Sequence, residues 1–212
     1  MRIVTKTTLI VFVALLVDNP CLYPVNIPQL DLPTLVKDAT NILVADVLAC
    51  NTTGREILMK LPRDPSASMP ATELVADVRV IQLIKGELPT KSIQIYFYLP
   101  RLFMGYREIP SGQKGLLFLR KREDGKYSLI DPYHPMLVAG GLAAKSDASV
   151  LDQVLDVMAL AVLDPELSTS DRRAASASLD QVDSPNLVEI LHNRIKQADF
   201  VGQVLISKIL IT

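Results

Sequence analysis

The 212-residue chain changes its hydrophobic periodicity once, at Gly140-Gly141. Before this point apolar and polar side chains alternate, most clearly in residues 73–80, and a period of two is typical of strands with one buried face. From Val150 onward apolar residues recur every three or four positions, which indicates amphipathic helices. The sequence therefore predicts an α+β fold, with a β-domain at 34–140 and a helical segment at 146–212.

The β-domain contains enough short apolar segments for a small antiparallel barrel or sandwich. The run 116–119 is apolar on both faces, which predicts a central strand. Asp124-Gly125 lies between two apolar segments and predicts a two-residue type I′ hairpin turn. Residues 62–70 contain three prolines and predict a surface loop. Strands are predicted at 41–50, at 55–61 after a turn at 51–54, at 73–80, at 92–99, and at 118–122 with 126–130.

The helical segment carries its own start signals. Ser149 with Asp152 is a capping pattern, and Asp183-Ser184-Pro185 predicts a helix that begins with Ser184 as its cap. Helices are predicted over about 150–163, 170–182, 185–195 and 200–210.

The N-terminal residues predict export. Arg2 and Lys6 precede an apolar run at 7–17, which fits the charged and apolar regions of a secretory signal within residues 1–20. The run is shorter than the roughly 20 residues that a membrane helix needs. Its β-branched content also fits a buried strand, the alternative interpretation. We expect an extracytoplasmic protein, periplasmic or secreted, that is membrane-attached only through this segment if it is not cleaved.

A proline-rich stretch at 21–33 predicts a linker into the fold, and it begins with one of the two cysteines, Cys21 and Cys50. Export places both in an oxidising compartment where they can form a disulfide. Cleavage after Cys21 would leave Cys50 alone. The residues before Cys21 depart from a lipoprotein box, which has small residues directly before the cysteine.

Composition argues against several classes of function. The net charge of −1 gives no general basic footprint for nucleic acid. Two Cys and two His form a four-ligand zinc site only if all four converge. The serines lack the Gly-x-Ser-x-Gly elbow, and Gly140-Gly141 lacks the spacing of a phosphate loop. The sequence therefore predicts a protein that is not an enzyme and that has no cofactor or metal.

Two groups of side chains are candidates for binding. Tyr96 and Tyr98 belong to the main aromatic concentration and line either the core or a groove. Arg120, Lys121 and Arg122 surround the predicted hairpin and would suit an anionic partner or a solvated surface.

A loop around His134 supplies the alternative function. His134 follows Asp131 and Tyr133, and a histidine beside an acid can serve as a base or ligand. The two neighbouring prolines instead fit a structural loop. An enzyme or inhibitor acting through these loops is therefore the alternative to a binding module.

The segment 171–195 resembles one HEAT-like repeat of the short bacterial kind. Its first helix begins with Arg173-Ala174-Ala175, and an Asp-Ser-Pro turn separates its two apolar helices. Val204, Leu205 and Ile209 repeat the spacing of Ala174, Ala175 and Leu179 thirty positions later. The resemblance implies a stacked helical surface for protein interaction. We expect Val204, Leu205 and Ile209 to contact a protein partner or a second copy of the chain.

Residues 38–130 resemble the OB-like barrel module of the netrin and tissue-inhibitor type, which also occurs in exported bacterial proteins. The matching pieces are Ala45-Asp46-Val47, the stretch 78–86 and the stretch 112–119 before a hairpin. The resemblance implies a small OB-like barrel with a binding face. Inhibitory members use an exposed N-terminal cysteine in a disulfide-rich framework, and this chain has two cysteines in all.

Overall fold

A computed structural model of the chain describes residues 31–61, 64–100, 107–143 and 147–211. Within these ranges a mixed sheet of six strands precedes four C-terminal helices, so the predicted α+β class is confirmed. The predicted signal segment and most of the predicted linker lie outside the described residues. The elements are α1 (Leu32–Asp38), β1 (Asn41–Leu61), β2 (Asp64–Lys85), β3 (Ser92–Pro100), β4 (Lys114–Lys121), β5 (Tyr127–Leu129), β6 (Leu137–Val138), α2 (Val150–Leu163), α3 (Thr169–Leu179), α4 (Pro185–Ile195) and α5 (Phe200–Ile211).

The strand order of the sheet is β1-β2-β3-β5-β4-β6, and β1 also pairs with β4. Neighbouring strands are antiparallel except β3 and β5, which are parallel over two residue pairs. The pairings therefore lead from β1 through β2, β3, β5 and β4 back to β1. The sheet is mixed rather than purely antiparallel, which corrects that part of the prediction.

β1 and β4 lie between two apolar layers, because alternate side chains of a strand point to opposite faces. Leu43 and Leu117 pack with the inner face of the sheet, while Ile42, Leu116 and Phe118 pack with the helices. All five are buried. This arrangement confirms that the run 116–119 forms a central strand.

β1 and β2 are longer than the sequence predicts. The predicted turn at 51–54 is an irregularity inside β1, where the register shifts between Thr52 and Glu56 and Gly54 has a φ of +76°. The predicted loop at 62–70 is wrong for residues 64–70, which belong to β2 and pair with β1. Proline is tolerated in an edge strand, so Pro70 does not end β2.

The β4–β5 hairpin is present, but its turn differs from the prediction. The amide of Gly125 donates to the carbonyl of Arg122 at 3.0 Å, and the amide of Arg122 donates to the carbonyl of Lys126 at 2.8 Å. Gly125 has a φ of +80° while Asp124 does not have a positive φ. A type I′ turn needs a positive φ at both central residues. The connection is therefore a three-residue loop with glycine at its last position.

Side-chain caps start the helices largely where the sequence places them. Ser149 Oγ accepts from the amide of Asp152 at 3.1 Å, as predicted, and Ser168 caps α3 in the same way through the amide of Asp171. Ser184 precedes α4 but makes no side-chain cap. The inner face of α2 is buried as its spacing predicts, at Val154, Leu155, Met158 and Val162.

A buried arginine joins three of the helices. Arg172 in α3 is 4% exposed, and its Nε donates to the carbonyl of Val162 in α2 at 2.8 Å. Its two terminal nitrogens donate to the two carboxylate oxygens of Asp199, directly before α5. Asp199 also accepts from the amide of Gly202 at 2.7 Å, which caps α5. The hydrogen bonds from Arg172 and from this amide lower the pKa of Asp199 to about 2.

Candidate functional site

Tyr96 and Tyr98 lie on the outer face of β3. Alternation along the strand turns Ile95 and Phe97 inward, where both are buried in the inner core of the sheet. The two tyrosines are partly exposed. The sequence is compatible with a position of both tyrosines in the core or in a groove. In the structure they lie on the surface of the sheet.

Strand register aligns Tyr96 with one of the predicted basic residues. Tyr96 is opposite Ser128 in β5, and Ser128 is opposite Arg120 in β4. Residues that face each other across neighbouring strands share a face of the sheet. Tyr96, Ser128 and Arg120 therefore form a row across three strands.

Polar contacts fix the side chain of Tyr96. Lys126 Nζ lies 4.4 Å from the centroid of its ring, a cation–π contact. Its hydroxyl donates to Gln94 Oε1 at 2.8 Å, and Gln94 Nε2 donates to Asp77 Oδ1 at 2.9 Å. The ring is thus held by a cation on its face and by a hydrogen-bonded chain at its edge.

Tyr98 contacts a buried carboxylate that sequence reasoning missed. The tyrosine hydroxyl donates to Glu73 Oε1 at 3.2 Å, and Thr53 Oγ1 donates to Glu73 Oε2 at 3.0 Å. Arg55 Nη1 lies 3.9 Å from Glu73 Oε1. Glu73 is only 5% exposed, although its alternation with apolar neighbours predicts a solvated face. The irregular part of β1 covers it with Thr53 and Arg55.

The three basic residues of the hairpin do not form one patch. Arg120 belongs to the row with Tyr96, but Lys121 is opposite Tyr127, whose side chain is in the inner core. The guanidinium of Arg122 forms an ion pair with Asp124 at 3.3 Å, within the loop. We therefore define the binding face by Glu73, Gln94, Tyr96, Tyr98, Arg120, Lys126 and Ser128.

Asp131 and His134 form a close pair in the loop after β5. His134 Nδ1 lies 2.7 Å from Asp131 Oδ2, and the amide of Tyr133 donates to Asp131 Oδ1 at 2.8 Å. Partial burial raises the pKa of Asp131, but the hydrogen bonds from His134 and Tyr133 outweigh it and lower the pKa overall. Among the described residues, His134 forms hydrogen bonds only with Asp131. Asp131 thus orients the imidazole of His134, and no nucleophilic side chain of the described residues is hydrogen-bonded to that imidazole.

Cys50 lies near the middle of β1 and is partly buried against the inner core. Burial, together with the negative charge of Glu108, raises the pKa of its thiol. A raised pKa leaves less reactive thiolate at neutral pH. Cys21 lies outside the described residues, so the pairing of Cys21 with Cys50 stays a prediction.

The C-terminal helices expose part of the predicted interaction surface. Val204 is 52% exposed, whereas Leu205 and Ile209 are partly buried and pack against the helical core. Ile209 also lines a groove of about 310 Å³ between the α3–α4 turn and α5. Of the three predicted contact residues, Val204 is thus accessible to a partner, whereas Leu205 and Ile209 help to stabilise the fold.

A second groove, of about 410 Å³, lies between α2 and α4. Four of its polar lining residues are paired with one another, since Asn186 Nδ2 donates to both oxygens of Asp152 at 3.1 Å and Arg194 Nη2 donates to Asp156 Oδ1 at 2.9 Å. Across the described ranges, no group of three or more Cys, His, Asp or Glu side chains has metal-binding geometry. None of the described helices is both long enough and apolar enough to cross a bilayer.

No protein-family model matches the chain, and no curated protein matches it in sequence.

Proposed function

We propose that this protein is a non-enzymatic, exported binding module that recognises a polypeptide partner. The observation that carries the proposal is the binding face on β3 and its neighbours, where Tyr96, Ser128 and Arg120 are aligned across three strands. Tyrosine and arginine are enriched at protein interfaces because they combine apolar contact with hydrogen bonding.

We further propose that the sheet is an OB-like barrel. The pairings return to β1, and OB folds are five-stranded, partly open barrels whose ligands bind the face of the second and third strands. Tyr96, Tyr98 and Glu73 lie on β2 and β3. In an OB-like barrel the ligand would therefore bind the face of the sheet that carries Tyr96 and Tyr98.

The charges of the binding face favour a polypeptide over a nucleic acid. Glu73 and Asp77 place carboxylates beside the two tyrosines, and carboxylates repel a phosphate backbone. Lys126 and Arg120 supply positive charge along the same face. Mixed charges around aromatic side chains suit a peptide segment that carries both signs.

The helices support a second element of the proposal, a HEAT-like surface for a protein partner or self-association. α3 and α4 form the helical pair of the proposed repeat, and α5 follows without a further described helix in sequence. Repeat helices bury their apolar faces against neighbours. Val204, Leu205 and Ile209 on α5 are the side chains proposed to take part.

Binding by matched variants of the full chain tests the proposal. Wild-type protein, Tyr96→Ala, Arg120→Ala and Lys121→Ala are each immobilised and exposed to an extracytoplasmic extract. We expect one partner to be retained by wild type and by Lys121→Ala, which lies on the same strand but off the row. Removing an interface anchor weakens binding about tenfold or more. Equal retention by all four proteins would contradict the binding face.

The alternative is a hydrolase that acts through the loops of the sheet, and the Asp131–His134 pair favours it. A carboxylate that holds one imidazole nitrogen leaves the other for proton transfer. His134→Ala would then abolish turnover of ester and peptide substrates, while Tyr96→Ala would not. Equal turnover by wild type and His134→Ala would exclude this role for the pair.

A further inference from the structure

Asn51 is the one asparagine of the sequence that has a threonine or serine two positions later. Asn51-Thr52-Thr53 thereby matches the acceptor pattern for N-linked glycosylation, in which the middle residue is not proline. A three-residue pattern also arises by chance. A true acceptor must in addition be exposed in the folded protein, and the protein must be exported.

Strand register turns Asn51 to the outside of the sheet. Asn51 is opposite Val75 in β2, and Val75 is opposite Tyr96 in β3. Residues opposite each other share a face of the sheet, so Asn51 lies on the outer face with Tyr96. The preceding residue, Cys50, is opposite the fully buried Ala76 and packs against the inner core. An acceptor at the position of Cys50 would therefore point into the core, where a glycan has no room.

The side chain of Asn51 is free to carry a large substituent. Asn51 is exposed, and so are Thr52 and Thr53. The carboxamide of Asn51 forms no hydrogen bond with another described residue. N-linked glycans are bulky and belong on the surface of a protein. A glycan on Asn51 Nδ2 would extend into solvent without displacing a contact of the fold.

Thr53 determines when the glycan has to be attached. The acceptor pattern requires a hydroxyl two positions after the asparagine. In the folded chain Thr53 Oγ1 donates to Glu73 Oε2 at 3.0 Å and accepts from the amide of Arg55 at 3.2 Å. The hydroxyl is then occupied and out of reach of a transferase. Attachment must therefore precede the pairing of β1 with β2, while the exported chain is still entering its compartment.

We propose that Asn51 is an N-glycosylation site. The co-substrate is an oligosaccharide linked to a lipid through a diphosphate, and the transferase is a separate enzyme. A bond forms between Asn51 Nδ2 and the anomeric carbon of the sugar, and the bond between that carbon and the phosphate oxygen breaks. The lipid diphosphate leaves with the electron pair of that bond, and Nδ2 loses one proton to the transferase. Because export is part of the proposed function, the site depends on export, but it does not depend on partner binding by Tyr96.

The glycan would border the binding face. Asn51 and Tyr96 are two strands apart, which corresponds to about 10 Å at the usual spacing of strands. Arg120 lies two strands from Tyr96 in the opposite direction. A glycan at Asn51 would thus stand at the β1 border of the binding face and leave Arg120 uncovered.

Intact mass tests the site. Full-length protein is recovered from the extracytoplasmic fraction of the cells that produce it, as wild type, Asn51→Gln and Asn193→Gln. Asn193 is the matched control, because it is exposed but has Ile195 two positions later. We expect wild type and Asn193→Gln to carry the mass of one oligosaccharide, and Asn51→Gln to have the mass of the polypeptide alone. Enzymatic release of the glycan converts the modified asparagine to aspartate, which should locate it at position 51 in a peptide map.

Two further comparisons test the hydroxyl and the timing. Thr53→Ser keeps a hydroxyl and should keep the added mass, whereas Thr53→Ala should lose it. The full chain translated in the presence of membranes that contain transferase and lipid-linked oligosaccharide should gain the glycan. The same chain added to those membranes after it has folded should not. Circular dichroism verifies that the Asn51→Gln protein is folded.

Export and glycosylation are measured separately, by fractionation with N-terminal sequencing and by mass. Exported wild-type protein at the mass of the bare polypeptide would overturn the site and leave export standing, whereas a cytoplasmic protein at that mass would overturn both. An added mass that persists in Asn51→Gln would place the modification on another residue. Equal modification of the folded and the nascent chain would contradict the role given to Thr53.

Discussion

The contact between Arg172 and Asp199 makes a sharp prediction about stability. Replacing Arg172 by leucine removes three hydrogen bonds, one to the carbonyl of Val162 and two to Asp199. The variant therefore loses the side-chain link between α2, α3 and the start of α5. We expect Arg172→Leu to lower the free energy of unfolding substantially.

The structure sets the size of this effect. Hydrogen bonds to charged groups contribute about 1.5–3 kcal/mol each but are not additive within one group. Leucine retains apolar contact where the stem of Arg172 is buried. Asp199 is 42% exposed and regains water, so the loss falls below that of a pair buried on both sides. We expect Arg172→Leu to cost about 2–3 kcal/mol, or about 5–10 °C in Tm for a chain of this size.

Urea and thermal unfolding followed by circular dichroism measure the effect. Arg173→Leu is the matched control, because the adjacent arginine is exposed. Its unfolding free energy should stay within about 0.5 kcal/mol of wild type. Arg172→Lys should give an intermediate loss, since lysine cannot form a bidentate contact. Equal stability of the Arg172→Leu and Arg173→Leu proteins would refute the reasoning.

The remaining predictions concern pH and three glycines. Asp199 has a pKa of about 2 in the fold against an ordinary value of 3.8, so its contribution to stability is present above pH 3.8 and is lost as the pH falls towards 2. Asp199→Asn should flatten that acid limb in pH-dependent melting. Gly140→Ala places a Cβ 2.3 Å from the carbonyl oxygen of Leu160 and should cost about 1–3 kcal/mol, whereas Gly141→Ala meets mainly the movable Leu160 side chain and should cost less in the same melts. Gly125→Val forces a positive φ on valine and should lower the free energy of unfolding by about 1 kcal/mol or more; an unchanged midpoint would contradict the turn geometry.

Local patterns in the sequence predict much of the fold. The change of periodicity at Gly140 separates the strands from the helices as observed, and Ser149 caps α2 through the amide of Asp152. The apolar run in β4 is central because it has no polar face. These features depend on residues a few positions apart, so the sequence displays them directly.

Contacts distant in sequence account for what could not be predicted. The alternation at 73–80 predicts that Glu73 is solvated, and no local pattern singles out Arg172. Their partners Tyr98 and Asp199 lie 25 and 27 positions away. Only the register of β2 with β3 and the packing of α3 beside α5 bring these pairs together, and no local pattern encodes either.

Tertiary pairing also overrides local turn signals in β1. Residues 51–54 combine asparagine, threonine and glycine, which favour a turn. The residues from Glu56 onward nevertheless pair with β2, and the backbone hydrogen bonds of this longer pairing outweigh one local preference. The turn becomes an irregularity that positions Thr53 and Arg55 over Glu73. The same error in prediction therefore hides both the full length of β1 and the buried carboxylate of the binding face.

The helices and the sheet share apolar contacts, which limits where a partner can bind. Ile42 and Phe118 on the sheet belong to the same buried cluster as Leu155 and Met158 of α2. The inner face of α2 is thus already occupied by the sheet and by the other helices. Exposed apolar side chains occur instead on α4 and α5, at Val188 and Val204 among others. A partner of the helical segment would therefore meet its last two helices, and variants there can be made without opening the core of α2.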